Sequence, residues 1–152
     1  MKKSLFMGLL LILVAGLVIG CNDNGDEDAY NYITTEELVQ RLDNGDIENG
    51  EMIMVSSQNE EEYETGYMED AIQTYARPLE TDEDYAKLDD ALGTIEAGDM
   101  DVILVCPRGG SGATKPFDYF AEKGIDTDRL LILEGGQEQM NDDYPDYVVF
   151  NN

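Results

Sequence analysis

The stretch "DVILVCPRGGSGAT", residues 101–114, contains the pattern that decides the fold. It begins with a run of apolar, mostly β-branched residues, which is typical of a buried strand. A cysteine, a proline and an arginine follow, and then three glycines within four residues. Glycine and proline indicate a turn, and residues 113–123 have the composition of a helix that Gly124 ends. We therefore predict a strand, a compact turn and a helix in succession.

Strands and helices alternate over the rest of the chain from Ile33 onward. Thr34, with Glu37 three residues later, forms a capping box that predicts a helix through about Leu42. Further strands are predicted at residues 52–55, 71–75 and 129–135, helices at residues 59–66 and 82–96, and an edge strand or docked tail at residues 147–150. Apolar strands separated by helices indicate a single α/β domain, with a mostly parallel central sheet and helices on both faces. In such folds ligands bind where strands end and helices begin, which is where residues 106–112 lie.

Residues 1–20 are predicted to be a targeting segment rather than part of this domain. Two lysines precede an apolar run at residues 5–19, which is shorter than the ~20 residues of a membrane span. The run ends in "LVIGC", which resembles the lipobox of bacterial lipoproteins, where cleavage before the cysteine leaves Cys21 as the lipidated first residue. This resemblance implies an exported protein, lipid-anchored to a bacterial membrane on its periplasmic or cell-surface side. The alternative is an ordinary signal peptide or an uncleaved anchor, in which Cys21 is incidental.

The composition narrows the classes of function. Residues 21–31 are predicted to form an acidic, flexible tether, and residues 32–152 the domain. The whole chain has 34 acidic and 9 basic residues, a formal net charge of −25. Such a surface repels nucleic acid and anionic lipid headgroups, so we expect no nucleic-acid partner and membrane contact through the lipid anchor. The chain has no histidine, which excludes Ser–His and Cys–His catalysis and the HExxH zinc site, and no metal site is predicted.

Cys106 is the candidate catalytic residue. The chain has 2 cysteines, so lipidation of Cys21 would leave Cys106 without a disulfide partner, either buried and inert or retained for chemistry. Glycines let backbone N–H groups converge, while the start of the following helix and Arg108 add positive charge. A thiol in this field is expected to ionise more readily, and the thiolate is the reactive form. The alternative is a buried cysteine that packs as a small hydrophobe. The residues predicted to bind an anionic substrate are Pro107, Arg108, Gly109, Gly110, Ser111 and Gly112.

Several families of enzyme place a reactive cysteine in an anion-binding loop. Protein tyrosine and dual-specificity phosphatases have an arginine six positions after the cysteine, where this chain has Gly112, so phosphoryl transfer is not favoured. An arsenate reductase would share the thiolate and the loop, but the expected arginine is again absent. Residues 106–111 instead resemble the six-residue active-site loop of the rhodanese family of sulfurtransferases. In that loop Arg108, Gly109 and Ser111 match a basic residue, the glycine and the hydroxyl.

The resemblance to the rhodanese family extends over residues 33–140. The segment "ITTEELVQRL" is similar to the family's opening helix. The segment "EEYETGYMEDAI" is similar to the family pattern E-[FY]-x-x-G-H-I-x-G-A-[IV], and "LEGGQEQM" to its Leu-x-Gly-Gly segment. The departures from the family pattern are Ser56 and Gln58 in place of Asp-x-Arg, Tyr67 in place of the histidine, Asp70 in place of a glycine, and Pro107, which removes one backbone N–H from the loop.

The resemblance implies a function in sulfur transfer. The Cys106 thiolate would take the outer sulfur of a small sulfur-containing anion such as thiosulfate, or of a persulfide donor, and pass it to a thiol, cyanide or protein acceptor. The intermediate would be a persulfide on Cys106, so that no separate cofactor is expected. The replaced family residues favour a second hypothesis, a non-catalytic rhodanese-like sulfur carrier or binding module.

Overall fold

A computed structural model describes residues 29–151, and the predicted targeting segment, Cys21 and most of the predicted tether lie outside them. This region is built on a five-stranded sheet in which all the pairings are parallel. The strands are β1 (Tyr32–Ile33), β2 (Met52–Ser56), β3 (Ala71–Gln73), β4 (Asp101–Val105) and β5 (Leu130–Leu133). Their order is β1-β5-β4-β2-β3, so β4 is the central strand. The predicted α/β class with a parallel central sheet is confirmed.

Helices connect the strands and cover both faces of the sheet. Within residues 29–151 they are α1 (Thr35–Asp43), α2 (Glu60–Glu64), α3 (Asp82–Ala86), α4 (Asp89–Glu96), α5 (Ser111–Glu122) and α6 (Gly136–Asp143), with short 3-10 helices at Thr127–Arg129 and Pro145–Tyr147. The capping box predicted for Thr34 and Glu37 is confirmed at the start of α1.

The central strand β4 supplies side chains to the two buried clusters of the domain. Leu104 belongs to the same cluster as Phe120 of α5, whereas Ile103 belongs to the cluster that contains Leu38 of α1. Alternate residues of a strand point to opposite faces of the sheet. One apolar run therefore contributes to both clusters, and it brings Cys106 to the C-terminal edge of the central strand.

The helix predicted over residues 82–96 is divided into two. The break between α3 and α4 falls at Lys87 and Leu88, and not at Gly93, where the sequence is weakest as a helix former. The backbone N–H groups of Lys87 and Leu88 bond carbonyls three residues back rather than four, which tightens the chain into turns. Leu88 is fully buried at this break, so the helix is interrupted without loss of its apolar contact with the core.

Two other features differ from expectation, and one alternative that the sequence left open is decided. Helix α5 begins at Ser111, earlier than predicted, because the turn after β4 is more compact than the sequence suggests. The sequence does not predict α6, whose first residue is a glycine. Residues 147–150 form a docked tail, joined to the domain by an isolated antiparallel bridge between Tyr67 and Val149 and by the Tyr147 hydroxyl, which donates to Oδ1 of Asp43 at 2.6 Å. Across residues 29–151, no helix combines the length and apolar character needed to span a membrane.

We expect Phe120→Ala to lower the free energy of unfolding by about 3–5 kcal/mol, because it leaves a cavity beneath α5. Phe120 is 0% exposed, whereas Phe150 is 44% exposed. The matched variant Phe150→Ala removes the same atoms and should cost about 1 kcal/mol or less. Urea unfolding followed by circular dichroism measures both, and equal losses would contradict the core assigned here.

Candidate active site

The turn after β4 lies in the wall of a cavity of about 490 Å³ at the C-terminal edge of the sheet. Other parts of the wall come from α2, the loop after β3 and α6. Parallel α/β folds bind ligands at this edge. Of the predicted site residues, Gly109 contacts the cysteine sulfur through its N–H, and the cavity is lined by Cys106, Pro107, Arg108, Gly110, Ser111 and Gly112.

The turn forms a cradle of backbone N–H groups around the sulfur of Cys106. The N–H of Gly109 donates to Sγ at 3.1 Å, and the N–H groups of Arg108 and Gly110 also act on the sulfur. The predicted convergence of amides is therefore represented by the hydrogen bond from Gly109, while the amides of Arg108 and Gly110 act on the sulfur by lowering the pKa of the thiol. Pro107 does not interrupt it, because the amides that face the sulfur begin at the next residue. The proline is itself buried, and its carbonyl accepts the N–H of Glu138 at 2.9 Å.

The back of the cradle is closed by the loop that leads into α6. The Cys106 carbonyl accepts the N–H of Gln137 at 2.8 Å. Gly136, at φ 60°, lies against the cradle so closely that an added Cβ would overlap the Cys106 carbonyl oxygen and come within 2.6 Å of the Arg108 nitrogen. Gly109, at φ 71°, makes the reciprocal approach, since its added Cβ would lie 2.8 Å from the Leu133 carbonyl oxygen. A side chain is excluded at Gly109 and at Gly136 because the two backbones touch there.

Two residues that depart from the rhodanese pattern brace the α2 wall of the cavity. Ser56 and Gln58 are 0% and 1% exposed. The Ser56 hydroxyl donates to Oε1 of Gln58 at 3.0 Å, and Nε2 of Gln58 donates to the carbonyls of Glu62 and Gly66 at 3.2 and 3.0 Å. This uncharged pair holds the middle of α2 and the turn that follows it without the desolvation cost of burying charges. Of the other departures, Tyr67 stacks on Tyr63 with ring centroids 3.9 Å apart, and Asp70 is exposed.

The side chain of Arg108 is not directed at the sulfur. It is 80% exposed and forms an ion pair with Glu138, Nε to Oε1, at 2.9 Å. The cation beside Cys106 is Arg77, from the loop after β3, which pairs with Glu62 at 2.6 Å. Sequence reasoning missed Arg77 because nothing in its local pattern marks it. Its position just beyond the C-terminal end of a parallel strand is the signal that could have found it.

The thiol does not ionise as readily as the sequence suggests. Burial raises the pKa of Cys106 above its ordinary value, because a low-dielectric environment disfavours the thiolate. The N–H groups of Arg108, Gly109 and Gly110 and the charge of Arg77 lower that pKa, but burial outweighs them. The expectation of easier ionisation is therefore wrong, because it counted the amides and omitted desolvation.

The α6 wall of the cavity is polar and contains an unsatisfied amide. Gln137 is 2% exposed, and its Nε2 donates to Oδ1 of Asn141 at 2.9 Å. Its Oε1 has no hydrogen-bond partner within residues 29–151. In the same region, no three cysteine, aspartate or glutamate side chains are arranged to hold a metal ion.

Comparisons with known proteins give fold relatives but no sequence relatives. No protein-family model and no curated protein matches the chain. Among solved structures, As-Sb reductase from Leishmania major has a TM-score of 0.61 and 25% identity, over 80% of this chain and 86% of that one. Ygr203w, a yeast protein tyrosine phosphatase of the rhodanese family, has a TM-score of 0.57 and 19% identity, over 77% and 88% of the two chains. A rhodanese-related protein from Thermoplasma volcanium has a TM-score of 0.54 and 17% identity, over 79% and 98%.

The chain has the rhodanese-like fold. The structural neighbours include proteins described as a reductase and as a phosphatase, so the fold by itself is compatible with more than one activity. The residues around Cys106 must therefore carry the functional argument.

We expect the rate of Cys106 alkylation by iodoacetamide to keep rising with pH beyond the range in which a free thiol of pKa ~8.5 levels off. The reason is that burial raises the pKa of Cys106 and that the thiolate is the reactive form. The measurement uses the Cys21→Ser chain, in which Cys106 is the remaining thiol. Glutathione, titrated in parallel, is the reference. A plateau for Cys106 at or below the pH of the glutathione plateau would contradict the result.

Gly136→Ala should destabilise the domain and displace the cradle, because the new Cβ would overlap the Cys106 carbonyl at a positive φ. The control is Gly93→Ala, whose Cβ meets nothing within 4 Å in the exposed part of α4. That variant should be neutral or stabilise by up to about 1 kcal/mol, since alanine is the better helix former. Thermal unfolding measures both, and a tolerated Gly136→Ala would refute the close contact of the two loops.

Proposed function

We propose that this rhodanese-like domain is a sulfurtransferase, which moves sulfane sulfur from thiosulfate or a persulfide donor to a thiophilic acceptor through a persulfide on Cys106. The observation that supports this most directly is the cradle, in which the N–H of Gly109 donates to the Cys106 sulfur at the wall of an open cavity. Backbone N–H groups in this arrangement stabilise negative charge on sulfur. A thiolate and a persulfide anion would both benefit.

In the first step the Cys106 thiolate attacks the outer sulfur of thiosulfate. A bond forms between Sγ and that sulfur, the sulfur–sulfur bond of thiosulfate breaks, and its electron pair leaves with sulfite. Cys106 then carries a persulfide anion, so total charge is unchanged. Residues 107–112 would form the surface that binds the donor, and the amides of Arg108, Gly109 and Gly110 would stabilise the charge on the terminal sulfur.

In the second step an acceptor nucleophile attacks the outer sulfur of the persulfide. With cyanide the product is thiocyanate, and with a thiol it is a new persulfide. The bond between the two sulfurs breaks, and its electron pair returns to Cys106 as the thiolate. Neither step needs a histidine, because the attacking group is an anion and the leaving group is an anion.

The second candidate is a non-catalytic sulfur carrier or binding module. Three carboxylates favour it, since Glu61, Glu62 and Glu138 line the cavity and repel an anionic donor. The raised pKa of the Cys106 thiol also limits the thiolate at neutral pH. A carrier would accept one sulfur without sustained turnover.

The proposal also includes the location of the protein. Cleavage before Cys21 and its lipidation would make this an exported, lipid-anchored protein, facing small sulfur-containing anions and thiol, cyanide or protein acceptors outside the cytoplasm. The formal net charge of −25 supports the proposal that nucleic acid is not among its partners.

The full-length Cys21→Ser chain, purified in detergent, should gain the mass of one sulfur atom when it is treated with thiosulfate. Added cyanide should remove that mass and release thiocyanate. The matched variant, with Cys106→Ser in the same background, should gain nothing, because the nucleophile is absent.

Intact-mass spectrometry measures the adduct, and repeated release of thiocyanate distinguishes an enzyme from a carrier. A single release per chain would favour the carrier. No adduct with thiosulfate, polysulfide or persulfide donors would defeat both candidates.

A further inference from the structure

Arg77 lies in a loop whose backbone is fixed against the active site. Its N–H donates to the Ser57 carbonyl at 3.1 Å, and the Ser57 hydroxyl donates to the Gly112 carbonyl at 2.7 Å. One buried serine thus ties the Arg77 loop to the thiol turn. On either side of Arg77, Tyr75 and Leu79 have φ angles of 53° and 59°, a region that residues other than glycine rarely adopt. Such conformations persist where the surrounding structure imposes them, and they cluster at functional sites.

The side chain of Arg77 lies beside the thiol. An added Cβ at Gly112 would be 3.3 Å from Cδ of Arg77 and 3.4 Å from Sγ of Cys106. The two side chains therefore flank the same glycine, and the absence of a side chain at Gly112 leaves room for both. The charge of Arg77 also lowers the pKa of the Cys106 thiol, in opposition to burial.

Glu62 holds the guanidinium of Arg77 in this position. Its Oε1 is 2.6 Å from Nη1 of Arg77, and its Oε2 accepts the backbone N–H of Asn59 at 3.0 Å as part of the capping box of α2. Glu62 is thus fixed by the start of a helix, and the ion pair is part-buried on both sides, with side-chain exposures of 31% and 25%. Within residues 29–151, Nε and Nη2 of Arg77 have no partner, so these N–H groups remain to bind an anion.

Arg108 is placed differently, although the loop pattern points to it. Its side chain is 80% exposed, and Nε is held by both carboxylate oxygens of Glu138, at 2.9 and 3.0 Å. An exposed, ion-paired guanidinium is screened by solvent and contributes little to the field at a buried sulfur.

We propose that Arg77, held by Glu62, is the cation that binds the anionic group of the sulfur donor beside Cys106. This role rests on the proposed function. It assigns donor binding to Arg77 in the loop after β3 rather than to Arg108 in the turn after β4. The sulfite portion of thiosulfate would lie against the N–H groups of Arg77 while its outer sulfur meets Sγ of Cys106. Arg77 would also stabilise the negative charge of the departing sulfite.

The charged side chains around the cavity come from each of its walls. Helix α2 supplies Glu61 and Glu62, the loop after β3 supplies Arg77, the thiol turn supplies Arg108, and α6 supplies Glu138. Removal of Arg77 leaves three carboxylates and one exposed cation. The cavity should then repel anions, and the thiolate should be harder to form.

The test compares two alkylating reagents that differ in charge. Iodoacetate is an anion and iodoacetamide is neutral. Both alkylate the Cys106 thiolate through their CH2 carbon, with loss of iodide. The ratio of their rates at Cys106 therefore measures how strongly the site attracts an anion, whether or not the protein transfers sulfur. The full-length Cys21→Ser chain in detergent provides the reference ratio.

Arg77→Gln should lower the iodoacetate-to-iodoacetamide ratio by about tenfold, because an ionic hydrogen bond beside the sulfur is lost. It should also move the pH profile of iodoacetamide alkylation to higher pH, and raise KM for thiosulfate more than it lowers kcat. Arg108→Gln should lower the ratio less than Arg77→Gln, and Arg77→Lys should recover part of the loss. A residue with a merely structural role would not discriminate between the two reagents.

Glu62→Gln should change the iodoacetate-to-iodoacetamide ratio in the opposite direction. It also provides a test if Arg77→Gln does not fold. Glutamine can still complete the capping box and accept from Arg77, so the ratio should rise as the opposing charge is removed. The matched change Glu138→Gln, in the exposed ion pair, should raise it less.

An equal fall in Arg77→Gln and Arg108→Gln would overturn the assignment, as would an equal rise in the two glutamate variants. If the ratio behaves as expected but no donor yields a persulfide, Arg77 remains the anion site and the sulfur-transfer proposal fails.

Discussion

The contact between two loop backbones behind Cys106 is the constraint on which the rest of the site depends. The first N–H groups of α6 bond the carbonyls of Cys106 and Pro107, which turns the opposite side of the peptide chain toward the sulfur. The contact is possible because Gly109 and Gly136 carry no side chains. The Leu-x-Gly-Gly segment of the sequence thus has a physical reason: it allows one helix start to hold the back of the thiol cradle.

Two opposing electrostatic effects meet at the sulfur. Burial favours the neutral thiol, whereas the amides of the turn and the charge of Arg77 favour the thiolate. In this protein burial outweighs the other effects, so the pKa of Cys106 lies above its ordinary value and the neutral thiol is favoured. Carboxylates also line the cavity, so the position of the nearest cation decides how strongly an anion is repelled beside the sulfur. The two ion pairs of the cavity differ in this respect, since Arg77–Glu62 is part-buried beside the sulfur and Arg108–Glu138 is exposed.

The replaced residues of the rhodanese pattern show that bracing does not require charge. Ser56 and Gln58 form a buried, neutral network that holds the carbonyls of α2. Glu62 in that helix is paired with Arg77. The network therefore supports the position of Arg77 indirectly, through Glu62. The rhodanese-like fold of this chain therefore keeps the α2 wall beside Cys106 in place without the charged pair of the family pattern.

The amino-acid sequence was sufficient to predict the alternation of strands and helices, the helix cap at Thr34, the parallel sheet and the turn that surrounds Cys106. Each of these depends on local pattern: a run of apolar residues, a capping pair, a cluster of glycines. Other features depend on contacts between residues that are far apart in the sequence, which local patterns do not specify. A tight turn at Lys87 and Leu88 divides one predicted helix into two, and the first turn of α6 is bonded to the cradle. Burial reversed the expected shift of the thiol pKa. Arg77 reaches the sulfur across about thirty residues of sequence because parallel strands bring their C-terminal ends to one edge, and that proximity exists only once the sheet has formed.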